Sequence, residues 1–125
     1  MKKVIYVFGS TILKEDSLPI EMVPELKKRC PDFDFQIKDP NEEWDIPEEL
    51  IVIDTVMGIS KIHIFESIDE FTQFPKVSIH DYDALSNLLF LKKLGRLKKI
   101  KIIGIPSMID KQKALEGVLT QLSLE

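Results

Sequence analysis

Val4, Ile5, Tyr6, Val7 and Phe8 run together without a polar interruption, and Gly9 stops them. A run this short, and this rich in β-branched and aromatic residues, suits a strand better than a helix. Its lack of alternation means that both faces are buried. That requirement constrains the chain more than any other, because such a strand belongs in a parallel sheet covered on both sides. Glycine takes backbone angles closed to a strand residue, so Gly9-Ser10 turns the chain out of the sheet. A short loop then delivers Glu15-Asp16 ahead of a helical stretch. Ligands of open α/β sheets sit in the crevice beyond the carboxyl ends of the strands, and Asp16 falls there. On this stretch alone, the plainer reading is that Glu15 and Asp16 cap the helix that follows and complement its dipole.

Two further apolar runs repeat the pattern. Leu50 to Ile53 (LIVI) is closed by Asp54, which again sets a carboxylate at the end of a buried strand. Ile100 to Ile105 (IKIIGI) ends at Pro106-Ser107, with Gly104 allowing close approach at its carboxyl end. Phe33 to Ile37 (FDFQI) and Lys61 to Phe65 (KIHIF) alternate instead, as strands with one wet face do. Between them, Ile20, Val23 and Leu26 recur at helical spacing after Ser17 and Pro19. Pro24 is expected to kink or restart that helix, and Lys27-Lys28-Arg29 followed by Pro31 to end it. Tyr82 to Leu94 carries Leu85, Leu88, Leu89 and Leu91 on a broad apolar face, with Asp81 or Asp83 to cap it and Gly95 beyond its end. Asp110 caps a last helix whose Leu115, Val118, Leu119 and Leu122 share a face.

Strands alternating with helices predict a single α/β domain over residues 1–125. The expected architecture is a three-layer sandwich: a mostly parallel sheet of about five strands with helices on both faces. The central strands are Lys3–Phe8, Leu50–Ile53 and Ile100–Ile105, flanked by Phe33–Ile37 and Lys61–Phe65. The connection from Asp54 is too short for a helical crossover, so Lys61–Phe65 is expected to run antiparallel. Asp39 to Glu49 is polar, carries Pro40 and Pro47, and reads as a surface loop with Trp44 tacked onto the core.

Composition narrows the partners. A net charge of −4, with basic residues scattered apart from a cluster between Lys92 and Lys101, provides no face for nucleic acid. A lone cysteine, Cys30, excludes an internal disulfide and fits a reducing compartment. The N-terminus lacks a signal-peptide core, and no apolar run approaches the roughly eighteen residues of a membrane span. A cytoplasmic monomer without membrane insertion is the expectation.

The chemistry has few candidates. There is no G-x-S-x-G elbow, no Gly-Lys of a phosphate loop and no dinucleotide fingerprint after Gly9, and Cys30 has no His or Asn nearby in sequence. His63 falls on the polar phase of its strand and reads as an exposed strand residue. His80 precedes a helix N-terminus, whose positive end favours the neutral imidazole that a metal needs. Asp16, Asp54 and His80 remain as a set that can converge on one edge of the sheet. Two carboxylates and an imidazole would make an open site for a borderline divalent ion such as zinc or nickel.

G-S-T-I-L-K-E-D at 9–16, followed by an apolar helix, resembles the G-N-x-x-x-x-D-[DE] opening of the hydrogenase maturation proteases. L-I-V-I-D at 50–54, S-I-H-D at 78–81 and K-I-K-I-I-G-I-P at 99–106 continue the resemblance in order along most of the chain. Ser10 stands where the family usually has Asn, and the stretch between Asp54 and His80 is shorter than in many members. The resemblance implies an endopeptidase that trims the C-terminal extension of a nickel-iron hydrogenase large-subunit precursor. It further implies that Asp16, Asp54 and His80 bind nickel, and that the ion arrives in the substrate and is the recognition element. The other class kept open is a non-catalytic assembly factor that docks a metalloenzyme subunit on the same fold. A small-molecule enzyme using the same cleft is a third.

Overall fold

The computed structural model describes residues 3–9, 17–38, 49–56, 58–67, 99–107 and 109–125. Five strands and two helices are formed among them: β1 (Lys3–Val7), α1 (Leu18–Arg29), β2 (Phe33–Ile37), β3 (Glu49–Val56), β4 (His63–Phe65), β5 (Lys99–Pro106) and α2 (Lys111–Leu122). The strands make one sheet in the order β2-β1-β3-β5-β4. β1, β2, β3 and β5 are parallel, and β4 alone runs antiparallel, along β5. The three strongly apolar runs hold the middle of the sheet and the two alternating segments hold its edges. The α/β architecture with a mostly parallel sheet is therefore as the sequence predicts.

Register explains the double burial. Ile5 pairs with Phe35 on one side and Ile51 on the other, and Ile53 pairs with Ile103. Their side chains therefore share one face, which packs against Met22, Val23 and Leu26 of α1 and Ala114, Leu115 and Val118 of α2. Tyr6, Leu50, Val52, Ile102 and Phe65 lie on the opposite face and are equally buried. Both described helices cover the first face. The helix expected over Tyr82–Leu94 lies outside the described residues, as do Trp44 and residues 39–48 of the expected loop.

Several local expectations are corrected. α1 passes through Pro24 as one uninterrupted helix with no restart. Pro24 is exposed, so water can satisfy the Ile20 carbonyl that lacks its usual N–H partner, while buried Met22, Val23 and Leu26 hold the helix down. β3 does not stop at Ile53. It begins at Glu49, which the sequence assigns to the preceding loop, and continues through Asp54 to Val56. Thr55 and Val56 are β-branched, and they extend the ladder by pairing with Ile105 and Pro106. β4 is shorter than expected, starting at His63 rather than Lys61. Asp110 caps α2 as predicted: its carboxylate accepts from the N–H groups of Gln112 (3.1 Å) and Lys113 (3.2 Å).

At the amino-terminal edge of the sheet, the Glu125 carboxylate clasps two lysines. Lys3 of β1 donates to it at 3.4 Å, and Lys101 of β5 makes a short hydrogen bond to its other oxygen. The Lys101 hydrogen bond, helped by Lys3 and opposed by burial, holds the Glu125 carboxyl below its ordinary value.

Candidate functional site

The carboxyl edge is where β1 and β3, adjacent and parallel, release the chain. Asp54 stands here on β3, two residues before the strand's end, and is only 4% exposed. The Thr55 N–H donates to Asp54 Oδ1 at 2.8 Å, which fixes the plane of the carboxylate. Burying a carboxylate in a central strand is costly unless something compensates it, and that N–H is one such compensation. Asp54 is thus a buried, oriented acid inside β3, and not the residue that closes the strand as the sequence suggests.

Gly104 is level with Asp54 in the sheet, and His63 is level with Gly104 on its far side. Asp54 and His63 therefore occupy the same face at the same height, with a strand that carries no side chain between them. The room above Gly104 is taken by its neighbours: a Cβ there would stand 2.8 Å from Val56 Cγ2 and 3.1 Å from Phe65 Cε2. The close approach expected at Gly104 is thus the packing of β3 and β4 against β5. His63 is exposed, as predicted, with its ring centroid 4.5 Å from that of Phe65.

Of the three residues singled out in the sequence, Asp54 alone is described; Asp16 and His80 lie outside the described residues, as does Ser10. Among the described residues, no three His, Cys, Asp or Glu side chains gather as a metal site. The donor chemistry at Asp54 nonetheless suits a divalent ion, because an oriented carboxylate oxygen is a ligand that borderline metals accept alongside imidazole.

Thr55 was not singled out in the sequence. Its side chain is 2% exposed on the face covered by the helices, and its Oγ1 makes no hydrogen bond. No sequence signal marks it, because a threonine beside an aspartate at a strand end is ordinary. Cys30, at the C-terminal cap of α1, is half-buried, and burial pushes its thiol pKa up, opposed by the neighbouring Arg29 and reinforced by Asp32. A thiol shifted in that direction is a poor nucleophile, in keeping with its exclusion above. Cavities bounded by described residues lie elsewhere. One of about 280 Å³ opens at the amino-terminal edge between Lys3, Glu49, Glu66 and Lys99, and another of about 500 Å³ lies beside Ile62 and α2.

No family model matches the chain, and no curated protein matches it. Solved structures do. The hydrogenase maturating endopeptidase HybD of E. coli superposes with a TM-score of 0.66 at 20% identity, over 99% of this chain and 93% of that one. The endopeptidase HycI of Escherichia coli gives 0.66 at 18% identity, over 98% of this chain and 89% of the other. The hydrogenase 2 maturation peptidase of Thaumarchaeota archaeon SCGC_AB-539-E09 gives 0.56 at 19% identity, over 99% and 100%. Across nearly its whole length, this chain has the fold of the hydrogenase maturation endopeptidases.

Proposed function

We propose that this chain is an endopeptidase that removes the C-terminal extension of a nickel-iron hydrogenase large-subunit precursor once nickel has been inserted. The observation that carries the reading is the near-complete superposition on structures named as hydrogenase maturation endopeptidases. The segments at 9–16, 50–54, 78–81 and 99–106 support it in sequence, and the oriented, buried carboxylate of Asp54 supports it at the carboxyl edge.

In this reading nickel is part of the substrate. Asp16 and Asp54 supply carboxylate oxygens and His80 an imidazole nitrogen, and together they recognise the metallated precursor and bring its tail to the sheet edge. An ion so held supplies Lewis acidity toward the scissile carbonyl or toward water. Asp54 contributes orientation as well as charge, since the Thr55 N–H keeps one of its oxygens in place. The protein works as a monomer in the cytoplasm, where a single cysteine stays reduced. No helix among the described residues is long and apolar enough to cross a membrane.

The test is the mass of a nickel-loaded precursor incubated with the protein and its variants. Asp54→Asn keeps an acceptor for the Thr55 N–H but loses the charge, so it should abolish cleavage with little change in thermal midpoint. Asp16→Ala and His80→Ala should abolish it too, while Glu15→Ala, His63→Ala and Cys30→Ser should cut normally. Binding of the precursor with unchanged mass in the wild type would make the protein an assembly factor instead. Full activity in Asp54→Asn would remove Asp54 from the site.

A further inference from the structure

We propose that the outer edge of β2 receives the C-terminal extension of the substrate as an added strand, antiparallel to β2. The proposal rests on the processing role argued above and names the surface that grips the tail. Among the described residues, β2 stands at one end of the sheet and pairs with β1 alone. The Lys38 N–H donates to the Val7 carbonyl at 3.0 Å, so the main-chain groups of Asp34, Gln36 and Lys38 turn toward β1. Those of Phe33, Phe35 and Ile37 turn the other way. The Phe33 N–H is taken by the Cys30 carbonyl at 3.2 Å, whereas no described residue takes up the N–H and C=O of Phe35 or Ile37. A row of outward donors and acceptors like this is a template for an extended peptide.

The side chains that ordinarily keep such an edge from pairing are held elsewhere. The Lys38 ammonium lies 5.3 Å from the centroid of the Tyr6 ring, folded back over the sheet face and away from the edge. Gln36 donates to Asp34 at 2.7 Å on that same face. Ile37 is 50% exposed, a large apolar side chain left in water at the carboxyl end of the strand. That end is the one nearest the proposed site, where an apolar residue of a passing peptide would cover it.

Strand spacing sets the direction. A peptide on the outer side of β2 lies three strands from β3, or roughly 14 Å at about 4.8 Å per strand. About four extended residues, at roughly 3.4 Å each, cross that distance. A scissile bond held near Asp54 thus leaves the tail at the carboxyl end of β2 after about four residues. From there it runs down the strand, against the direction of β2.

Mass-detected amide exchange over residues 33–38 tests this, with wild-type protein held in excess nickel-loaded precursor and pulse-labelled before the precursor is consumed. Exchange at Phe35 and Ile37 should slow by about tenfold or more on complex formation, while Gln36, already bonded to β1, changes little. In a second arm, Ile37→Pro removes one outward donor without touching the ladder to β1. It should lower kcat/KM for the precursor by about tenfold, with the fold confirmed by its thermal midpoint. Precursor that wild type cuts, but whose complex leaves Phe35 and Ile37 exchanging freely, overturns the proposal and leaves the processing role standing. So does an unchanged kcat/KM in a folded Ile37→Pro. Precursor neither cut nor bound removes both. Slowing that grows with protein concentration and no precursor present would assign the edge to a second copy of this chain and overturn the proposal.

Discussion

Thr55 carries a cost that the fold does not need. A hydroxyl buried at 2% exposure without a partner loses its water and gains nothing in return. Thr55→Val keeps the shape and the β-branching, so it should raise stability by about 1 kcal/mol, read as an increase in the urea midpoint at constant slope. A fall in that midpoint would mean that the hydroxyl has a partner in solution. Cys30 makes a second prediction. Because burial raises its thiol pKa, little thiolate is present at neutral pH, and iodoacetamide should modify it more slowly than free cysteine at pH 7.5. Modification at the rate of free cysteine would show that the cap of α1 opens readily.

Between elements, two glycines should respond differently to the same change. Gly104→Ala pushes a methyl into Val56 Cγ2 at 2.8 Å and Phe65 Cε2 at 3.1 Å, both on buried residues with nowhere to move. It should cost about 2 kcal/mol. Gly117→Ala meets Ile62 Cδ1 at 2.3 Å, but that atom is the far end of a half-buried side chain bordering an open groove. The groove lets Ile62 rotate away, and alanine gains about 1 kcal/mol of helix propensity in α2. The net change should stay within about 1 kcal/mol of zero; thermal midpoints of the two variants check both claims. These elements were legible because strongly apolar runs and alternating ones separate central from edge strands, and caps such as Asp110 act locally. The end of β3 was not, because a polar Asp54 reads as a stop, whereas pairing with β5 carries the strand on through Thr55 and Val56. The Pro24 restart failed for a related reason: exposure and packing decide a proline's effect, and neither is written in the residue itself. At the site, Asp54 was found as an acid following an apolar run. The orphaned hydroxyl of Thr55 depends on packing and has no sequence mark.

For the molecule as a whole, the Glu125 clasp ties β1 to β5 across the amino-terminal edge. With its carboxyl held below the ordinary 4.5, this group adds stability that is complete above that value and fades as pH falls through the lower folded-state one. Between pH 6 and pH 3, the wild type should therefore lose more stability than Glu125→Gln, in paired urea titrations. Equal losses would show that Lys3 and Lys101 do not hold the carboxylate in solution. The clasp also brings the first and last described residues within side-chain reach of each other. A linker of a few residues, each spanning up to about 3.4 Å, is enough to close the chain into a ring. Cut between Lys38 and Glu49, that ring becomes a circular permutant whose first strand is β3. The central strand would then leave the ribosome before either of its neighbours, β1 and β5, and would wait for each of them to be added.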